Sequence, residues 1–385
     1  MKILHTADLH LGKTVNEVDL LSDQRDMLQQ LLSVIDRKKP DVLLLSGDIY
    51  DRSVPPEKAV ELLDAFLTDL SSRKIPTLVI SGNHDSEERL AYGSALFAKS
   101  GIHIAGKFAG AMEEVTLEDA YGPVHFYLLP FVKASTVRYY FPEAEIPDYE
   151  AAVRTVIGAA APDPAARNVC LAHQFVTFSG KDPALAGSES GGALEVGAVE
   201  RVGSGVFAPF DYTALGHIHG YQEMEEGRVV YSGSPLKYSL REIGQDKFFV
   251  LVDLGEKRGE KADLSIQRIP VKPLHEMRRI KGKLTDLLSH AVDTQDYIYA
   301  TLTDEEPIPD AMAALQGVYP NAMKLDYENA RTRALEEGPE DGAEKEKSFG
   351  EIAEDFARQV TGQELSDAER ALLLDCAKEA GILEA

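Results

Sequence analysis

Five short polar clusters carry side chains able to hold metal ions: Asp8-x-His10, Gly47-Asp48, Gly82-Asn83-His84-Asp85, His173, and His217-x-His219. Imidazole, carboxylate and amide oxygen together suit first-row divalent cations better than calcium. Two such ions held about 3.5–4 Å apart can clamp one phosphoryl group and acidify a water between them. A bridging carboxylate offsets the repulsion between the ions, and Asp48 is the natural candidate. In Asp-x-His and His-x-His, alternate side chains point the same way if the backbone is extended. Each cluster alone is weak, because a lone His after a strand is more often a hydrogen-bonded structural residue. The reading rests on all five occurring after strands, in this order.

The elements that must position them are legible in outline. Residues 2–7 read as a strand ending at Asp8. A Val-Leu-Leu-Leu run within 41–46 ends at Gly47-Asp48, and a strand over 75–80 ends at Gly82-Asn83-His84. Leu20, Leu28, Leu31, Leu32 and Ile35 recur at helical spacing, so 19–38 is expected to be a helix, and 56–73 another. Residues 169–172 lead into His173, 212–215 into His217, and 229–231 and 248–254 read as further strands. Strands alternating with helices argue for an α/β fold whose strand-end loops build the site. A Gly/Ser-rich loop is expected over 179–193. Beyond 265 the pattern changes to a small α+β cap module (266–330), a charged linker (331–347) and a helical tail (348–385).

Composition narrows the class. The chain has 385 residues, 44% hydrophobic and 27% charged, ordinary for a globular protein of two or three domains. Cys170 and Cys376 are the only cysteines, so no disulfide framework is implied. No apolar run reaches about 18 residues, which argues against a membrane span, and a cytoplasmic location is expected. The net charge is -24, and residues 336–385 contribute 15 acidic against 5 basic side chains. Such a balance predicts weak nucleic-acid binding by this chain alone.

The series Asp-x-His, Gly-Asp-x-x-Asp, Gly-Asn-His-Asp, His, Gly-His-x-His resembles the calcineurin-like metallophosphoesterase superfamily. Three further stretches resemble the SbcD-type nuclease subunits within it. These are Tyr231-Ser232-Gly233-Ser234-Pro235-Leu236-Lys237-Tyr238-Ser239, Phe210 through His219, and Ile269-Pro270-Val271-Lys272-Pro273-Leu274. The resemblance spans nearly the whole chain. It implies a two-sheet sandwich with flanking helices, and one metal on Asp8, His10, Asp48 and His219. It places a second metal on Asp48, Asn83, His173 and His217, with manganese as the expected ion and His84 as the non-ligand catalytic residue. It further implies DNA exonuclease and hairpin or single-strand endonuclease activity in repair, recombination and replication. The implied partner is the SbcC ATPase in an assembly of two SbcC and two SbcD, and a homodimer is a further expectation. The chain itself lacks a Gly-x-x-x-x-Gly-Lys-Ser/Thr motif.

Other residues are weighed against blander roles. Asp51 and Arg52 are candidate substrate contacts or ordinary loop residues; Asp51 stands where archaeal and eukaryotic relatives carry a second active-site His. Arg278, Arg279, Lys281 and Lys283 form a basic patch on the cap, by default a solvated face and otherwise a DNA contact. Asp85 is expected to orient rather than ligate. His5, His103, His125, His275 and His290 lack a motif and read as structural or exposed. In the tail, Ile352, Phe356 and Val360 share one helical face, and Leu372 lies on a second stripe preceded by a Ser366–Glu369 capping-box pattern. These are the candidate partner-binding residues. Two rival functions share the motifs: a phosphatase, suggested by Gly47-Asp48-Ile49-Tyr50-Asp51-Arg52, and a non-catalytic recruitment protein, which a complete ligand set disfavours.

Overall fold

The computed structural model describes residues 1–185 and 200–329, with 365, 366, 369, 370, 372 and 373. Alternation along the central strands decides the layering. Strands β1 (Lys2–Thr6), β2 (Val42–Ser46), β3 (Thr77–Ile80) and β4 (Ile102–Ala105) pair in parallel. Every residue of β2 is buried. Leu43 and Leu45 turn toward helices α1 (Leu21–Lys38) and α2 (Glu57–Arg73), against Leu31, Ile35, Leu63 and Leu67. Val42 and Leu44 turn the other way, against Val124, Phe126, Val169 and Tyr212 of a second sheet. A parallel strand covered on both faces reads as a continuous apolar run, and this one does. Both helices end at a lysine in the left-handed region, Lys39 (φ 49°) and Lys74 (φ 54°), which turns the chain back toward the sheet.

The second sheet comprises β5 (Glu113–Asp119), β6 (Gly122–Leu129), β7 (Arg167–His173), β8 (Tyr212–Gly216), β9 (Gln222–Met224) and β10 (Val229–Tyr231), in the order β9-β10-β8-β7-β6-β5. Helix α3 (Ala134–Tyr140) and helix α4 (Tyr149–Ala160) follow β6. The Asp148 carboxylate caps α4 by accepting from the Ala151 N–H at 2.8 Å. Val153, Val156 and Ile157 of α4 cover Cys170, Ala172 and Leu215. The chain then returns to the first sheet as β11 (Phe248–Arg258) and β12 (Lys261–Pro270), giving the order β12-β11-β1-β2-β3-β4. The result is two six-stranded sheets face to face with helices outside each. The boundary expected at 265 falls inside β12, which stays in the sheet to Pro270.

Beyond it, β13 (Met277–Gly282), β14 (Tyr297–Leu302) and β15 (Ala322–Tyr327) form a parallel three-stranded sheet with α5 (Leu284–Ser289) and α6 (Ala311–Gln316). One face of this sheet packs on its own helices through Ile298, Ala300, Leu302 and Leu315. The other face docks Met277, Tyr297 and Met323 into the cluster around α1. There the buried Asp23 carboxylate accepts from the His275 backbone N–H at 3.0 Å and the Tyr297 hydroxyl at 2.6 Å.

A separate compact unit begins at Glu328. The linker and most of the tail, including Ile352, Phe356 and Val360, lie outside the described residues. The Ser366–Glu369 capping box is present: Ser366 N donates to Glu369 Oε2 at 2.9 Å, and Glu369 N to Ser366 Oγ at 3.4 Å. Leu372 is exposed. No helix among the described residues is long and apolar enough to cross a membrane.

Candidate active site

The loops after β1, β2, β3, β7 and β8 converge, and backbone hydrogen bonds join the first two. Asp8 N donates to Gly47 O at 3.0 Å, His10 N to Asp48 O at 2.9 Å, and Leu11 N to Ile49 O at 2.9 Å. This zipper, rather than an extended backbone, presents Asp8 and His10. Asp8, His10, Asp48 and His217 all have positive φ (54°, 43°, 50° and 99°), a conformation costly for non-glycine residues and concentrated at functional sites. The alternation expected for Asp-x-His and His-x-His is therefore corrected: the pairs converge through left-handed turns. Glycine is needed where the loops touch. A Cβ on Gly47 (φ 90°) would lie 2.3 Å from His173 Nδ1, and one on Gly82 2.1 Å from Asp48 Oδ1.

All seven expected ligands and His84 come together. His10 Nε2 lies 3.0 Å from His219 Nε2 and 3.6 Å from Asp48 Oδ2. His173 Nε2 lies 3.4 Å from Asp48 Oδ2 and 3.1 Å from Asn83 Oδ1, and His217 Nδ1 is 2.9 Å from the same Asn83 oxygen. Among the described residues, three groups have ligand atoms within 4.8 Å of one another: Asp8–His10–His219, Asp8–Asp48–His173 and His10–Asp48–His84. The donor set fits cations. His173 Nδ1 donates to Ser46 O at 2.8 Å, so in the neutral ring Nε2 is a lone pair aimed at the acceptor Asn83 Oδ1. Acceptor faces acceptor there, which a positive charge resolves. Asp8 Oδ2 is buried with no hydrogen-bond partner, although its other oxygen accepts from His217 N at 2.9 Å. Such an orphan is costly unless something binds it.

The electrostatics agree. Burial pushes Asp8 up to about 6, with His173 and His219 pulling it down. Burial would raise Asp48 too, but the His173 imidazole beside it holds it well below the usual carboxylate range. Burial alone would lower His173; Asp48 reverses this and pushes it up to about 9. Burial takes His10 down to about 4 and His217 to about 3. The pocket attracts positive charge, a proton on His173 or a bound cation, and His10 and His217 are kept neutral, the form that ligates.

His84 stands apart. Its backbone N–H donates to Asp48 Oδ1 at 2.9 Å, and its Nδ1 donates to Asp51 O at 2.8 Å. That leaves Nε2 toward the centre, 3.9 Å from Asp48 Oδ2, on a side chain 23% exposed where His173 is fully buried. Asp85 orients, as expected: its carboxylate accepts from Ile49 N (3.0 Å), Tyr50 N (2.9 Å) and Gly82 N (2.9 Å). Asp51 is engaged by Lys13 at 2.7 Å and by His10 Nδ1 at 3.5 Å. Arg52 reaches out beside it at 3.7 Å.

Some supporting residues carried no sequence signal. Gln24 of α1 is fully buried and donates to His10 O at 2.7 Å. Glu242 lies with its carboxylate 3.9 Å from His219 Nδ1. Lys247 pairs with Glu242 and donates to His219 O at 3.0 Å. Tyr238, in a stretch singled out only by resemblance, packs its ring 5.4 Å from that of His10 and donates its hydroxyl to Leu9 O. Of the histidines without a motif, His5 pairs with the Tyr212 hydroxyl, His125 with Glu114, and His275 with Asp23.

On the cap, Arg278 pairs with Asp296 at 3.2 Å and Lys281 is exposed. Arg279 instead lies over the Tyr299 ring.

Two packed sheets whose strand-end loops gather a cluster of His, Asp and Asn side chains able to hold cations are the architecture of a metallophosphoesterase, and residues 1–221 match the calcineurin-like phosphoesterase family. The chain belongs to that family. Residues 273–361 match the SbcD C-terminal domain, described as the type 5 capsule protein repressor C-terminal domain. The pair of domains makes this an SbcD-type subunit. Among solved structures, a dimetal phosphatase from Danio rerio aligns at 13% identity over 70% of this chain and 99% of its own, with a TM-score of 0.39. The TT1561 protein of Thermus thermophilus aligns at 12% identity over 69% and 97%, with a TM-score of 0.38.

Proposed function

We propose that this chain is a metal-dependent DNA nuclease, cutting duplex ends as an exonuclease and hairpins or single strands as an endonuclease, in the cytoplasm. The observation that supports the reading is a cluster of Asp and His side chains able to hold cations, on a chain that continues into an SbcD-type C-terminal domain. Asp8, His10, Asp48 and His219 would hold one divalent ion; Asp48, Asn83, His173 and His217 would hold the other, with manganese the proposed metal. Bound there, such ions polarise a phosphoryl group and activate water.

The chain's own residues do the rest. The Asp51 carbonyl fixes the His84 ring through Nδ1 and leaves Nε2 to meet a phosphoryl or leaving oxygen. Asp51, held by Lys13 and close to His10 Nδ1, keeps the His10 ring oriented toward the site. Asp85 ties the loop bearing Asp48 to the loop bearing Asn83 and His84. An acidic chain of this kind holds DNA poorly alone, and the SbcC ATPase, in a two-plus-two assembly docked through the tail, would supply the missing affinity.

The test is a manganese-dependent assay on end-labelled duplex DNA, with and without SbcC, beside a phosphopeptide. Degradation of the DNA with the phosphopeptide left intact supports the reading. Phosphopeptide hydrolysis with intact DNA replaces it with a phosphatase.

A further inference from the structure

The segment 232–247 joins β10 to β11 and carries a buried pair of opposite charges, Glu242 and Lys247, in direct contact. Such a pair is weak evidence for stability, because apolar residues of similar volume often serve as well in its place. What the pair touches is more informative. Lys247 Nζ donates to His219 O and to Ser234 Oγ, each at 3.0 Å, and Ser234 N donates to the same His219 carbonyl at 3.1 Å. Glu242 Oε1 accepts from Tyr238 N at 3.2 Å and lies 3.9 Å from His219 Nδ1. The cation therefore holds the main chain of His219 while the anion stands behind its ring. The other ring nitrogen, Nε2, faces His10 Nε2 at 3.0 Å. His10 is held in the same manner. Gln24 Nε2 donates to its carbonyl at 2.7 Å, and Asp51, engaged by Lys13, lies 3.5 Å from its Nδ1. Two imidazoles thus converge, each with its carbonyl held by a side-chain nitrogen and a lysine-bound carboxylate behind the ring. His173 differs, since its Nδ1 rests on the neutral Ser46 carbonyl. At 3.9 Å the Glu242 carboxylate acts by charge rather than as a hydrogen-bond acceptor. A negative charge there favours the proton on Nδ1, which leaves the lone pair on Nε2.

We propose that Glu242, held by Lys247, is a positioning residue for His219, fixing the ring so that Nε2 offers its lone pair to a divalent cation, as Asp51 with Lys13 does for His10. The inference rests on His219 being a metal ligand. Lys247 has two tasks in this arrangement: it keeps the buried Glu242 ionised, and it stops the His219 main chain from drawing the ring away from His10.

The experiment is a double-mutant cycle read by titrating the full chain with manganese chloride. One arm is Glu242→Gln/Lys247→Met, which removes both charges together and so leaves no buried charge unpaired. The other is His219→Ala, and the third protein combines them. Thermal melts confirm that each is folded. The neutral pair should weaken one of the two ions by about 10–100-fold, the usual cost of losing a partner that orients a metal ligand. In the His219→Ala background the same change should cost nothing further, because the residue it acts through is gone. If the neutral pair does not fold, Glu242→Asp takes its place in the cycle; it keeps the charge beside Lys247 but withdraws it from the ring by one methylene, and the same pattern is expected. Wild-type affinity for both ions in the folded variant overturns the proposal and leaves the metal assignment standing. An equal loss with and without His219 also overturns it, since the pair would then act on the loop at large. A wild-type chain that takes up no manganese removes the metal assignment, and the positioning role with it.

Discussion

Replacing Asp85 by alanine strips the acceptor from three backbone N–H groups at once, those of Ile49, Tyr50 and Gly82. Burial and then Asp48 push the pKa of this carboxyl up to about 7, while the three donors pull the other way. Those donors fit the ionised form. Leaving a buried donor unsatisfied costs about 1–3 kcal/mol. Because water can enter the space vacated by the shortened side chain, the low end applies, and the loss comes to about 3 kcal/mol. Asparagine is a graded control. Its single oxygen can replace Oδ2, which serves Ile49 and Gly82, but its amide then opposes the Tyr50 N–H, at a cost of about 1–3 kcal/mol. Both variants also slacken the tether between the Asp48 loop and the Asn83–His84 loop. Metal affinity should fall about 10–100-fold, as when a partner that orients metal ligands is lost. Urea unfolding followed by circular dichroism gives the first quantity, and metal titration the second. An Asp85→Ala protein that unfolds at the wild-type urea concentration and binds two ions with wild-type affinity would refute the tether.

Four further outcomes are expected. His84→Ala should keep metal and DNA binding but lose about 10²–10⁴-fold in cleavage rate; near-normal turnover in a preparation free of contaminating nuclease removes His84 from the chemistry. Asp48→Ala should disrupt both metal sites and His219→Ala mainly one, as read by metal analysis of the purified proteins; full occupancy in Asp48→Ala would end the bridging role. Phe356→Asp in the full chain should weaken co-purification with SbcC without shifting the unfolding of the catalytic domain, and undiminished complex would show that the tail docks elsewhere. His5, which burial takes down to about 3 from 6.5, stays neutral in the fold while the unfolded chain protonates. Its stabilising contribution is therefore present above pH 6.5 and lost as pH falls toward 3, at about 1.4 kcal/mol per pH unit. His5→Gln should flatten the stability–pH curve over that window, and an unchanged curve would mean that His5 is not kept neutral.

The site is legible in the sequence because its chemistry lies in residue identity, and strand-end position follows from short apolar runs such as Val42–Leu45. The outer part of the second sheet is not. Strand Glu113–Asp119 is an edge with only Val115 buried, so its charged sequence carries little alternation. Helix Tyr149–Ala160 does carry a stripe, at Tyr149, Ala152, Val153, Val156 and Ile157, and a cap at Asp148; the sequence reading leaves it unassigned although the signal is there. Glu242 and Lys247 are invisible for a different reason, since their significance arises only when the fold brings them to His219. Arg278 and Arg279 are equivalent as letters and become distinct only once strand register assigns each to a face.

The hydrogen bonds that zip the Asp8–Leu11 loop to the Gly47–Ile49 loop involve only main-chain atoms. The ligand spacing is therefore written into the backbone and does not wait for an ion to assemble it. In zinc-finger-like domains the cation is a folding cofactor and its removal dissolves the site. An ion held here, as proposed, would enter loops whose course the main chain already sets, so metals of similar size and charge could be exchanged without rebuilding those loops, and the resident ion would depend on cellular supply as much as on the polypeptide.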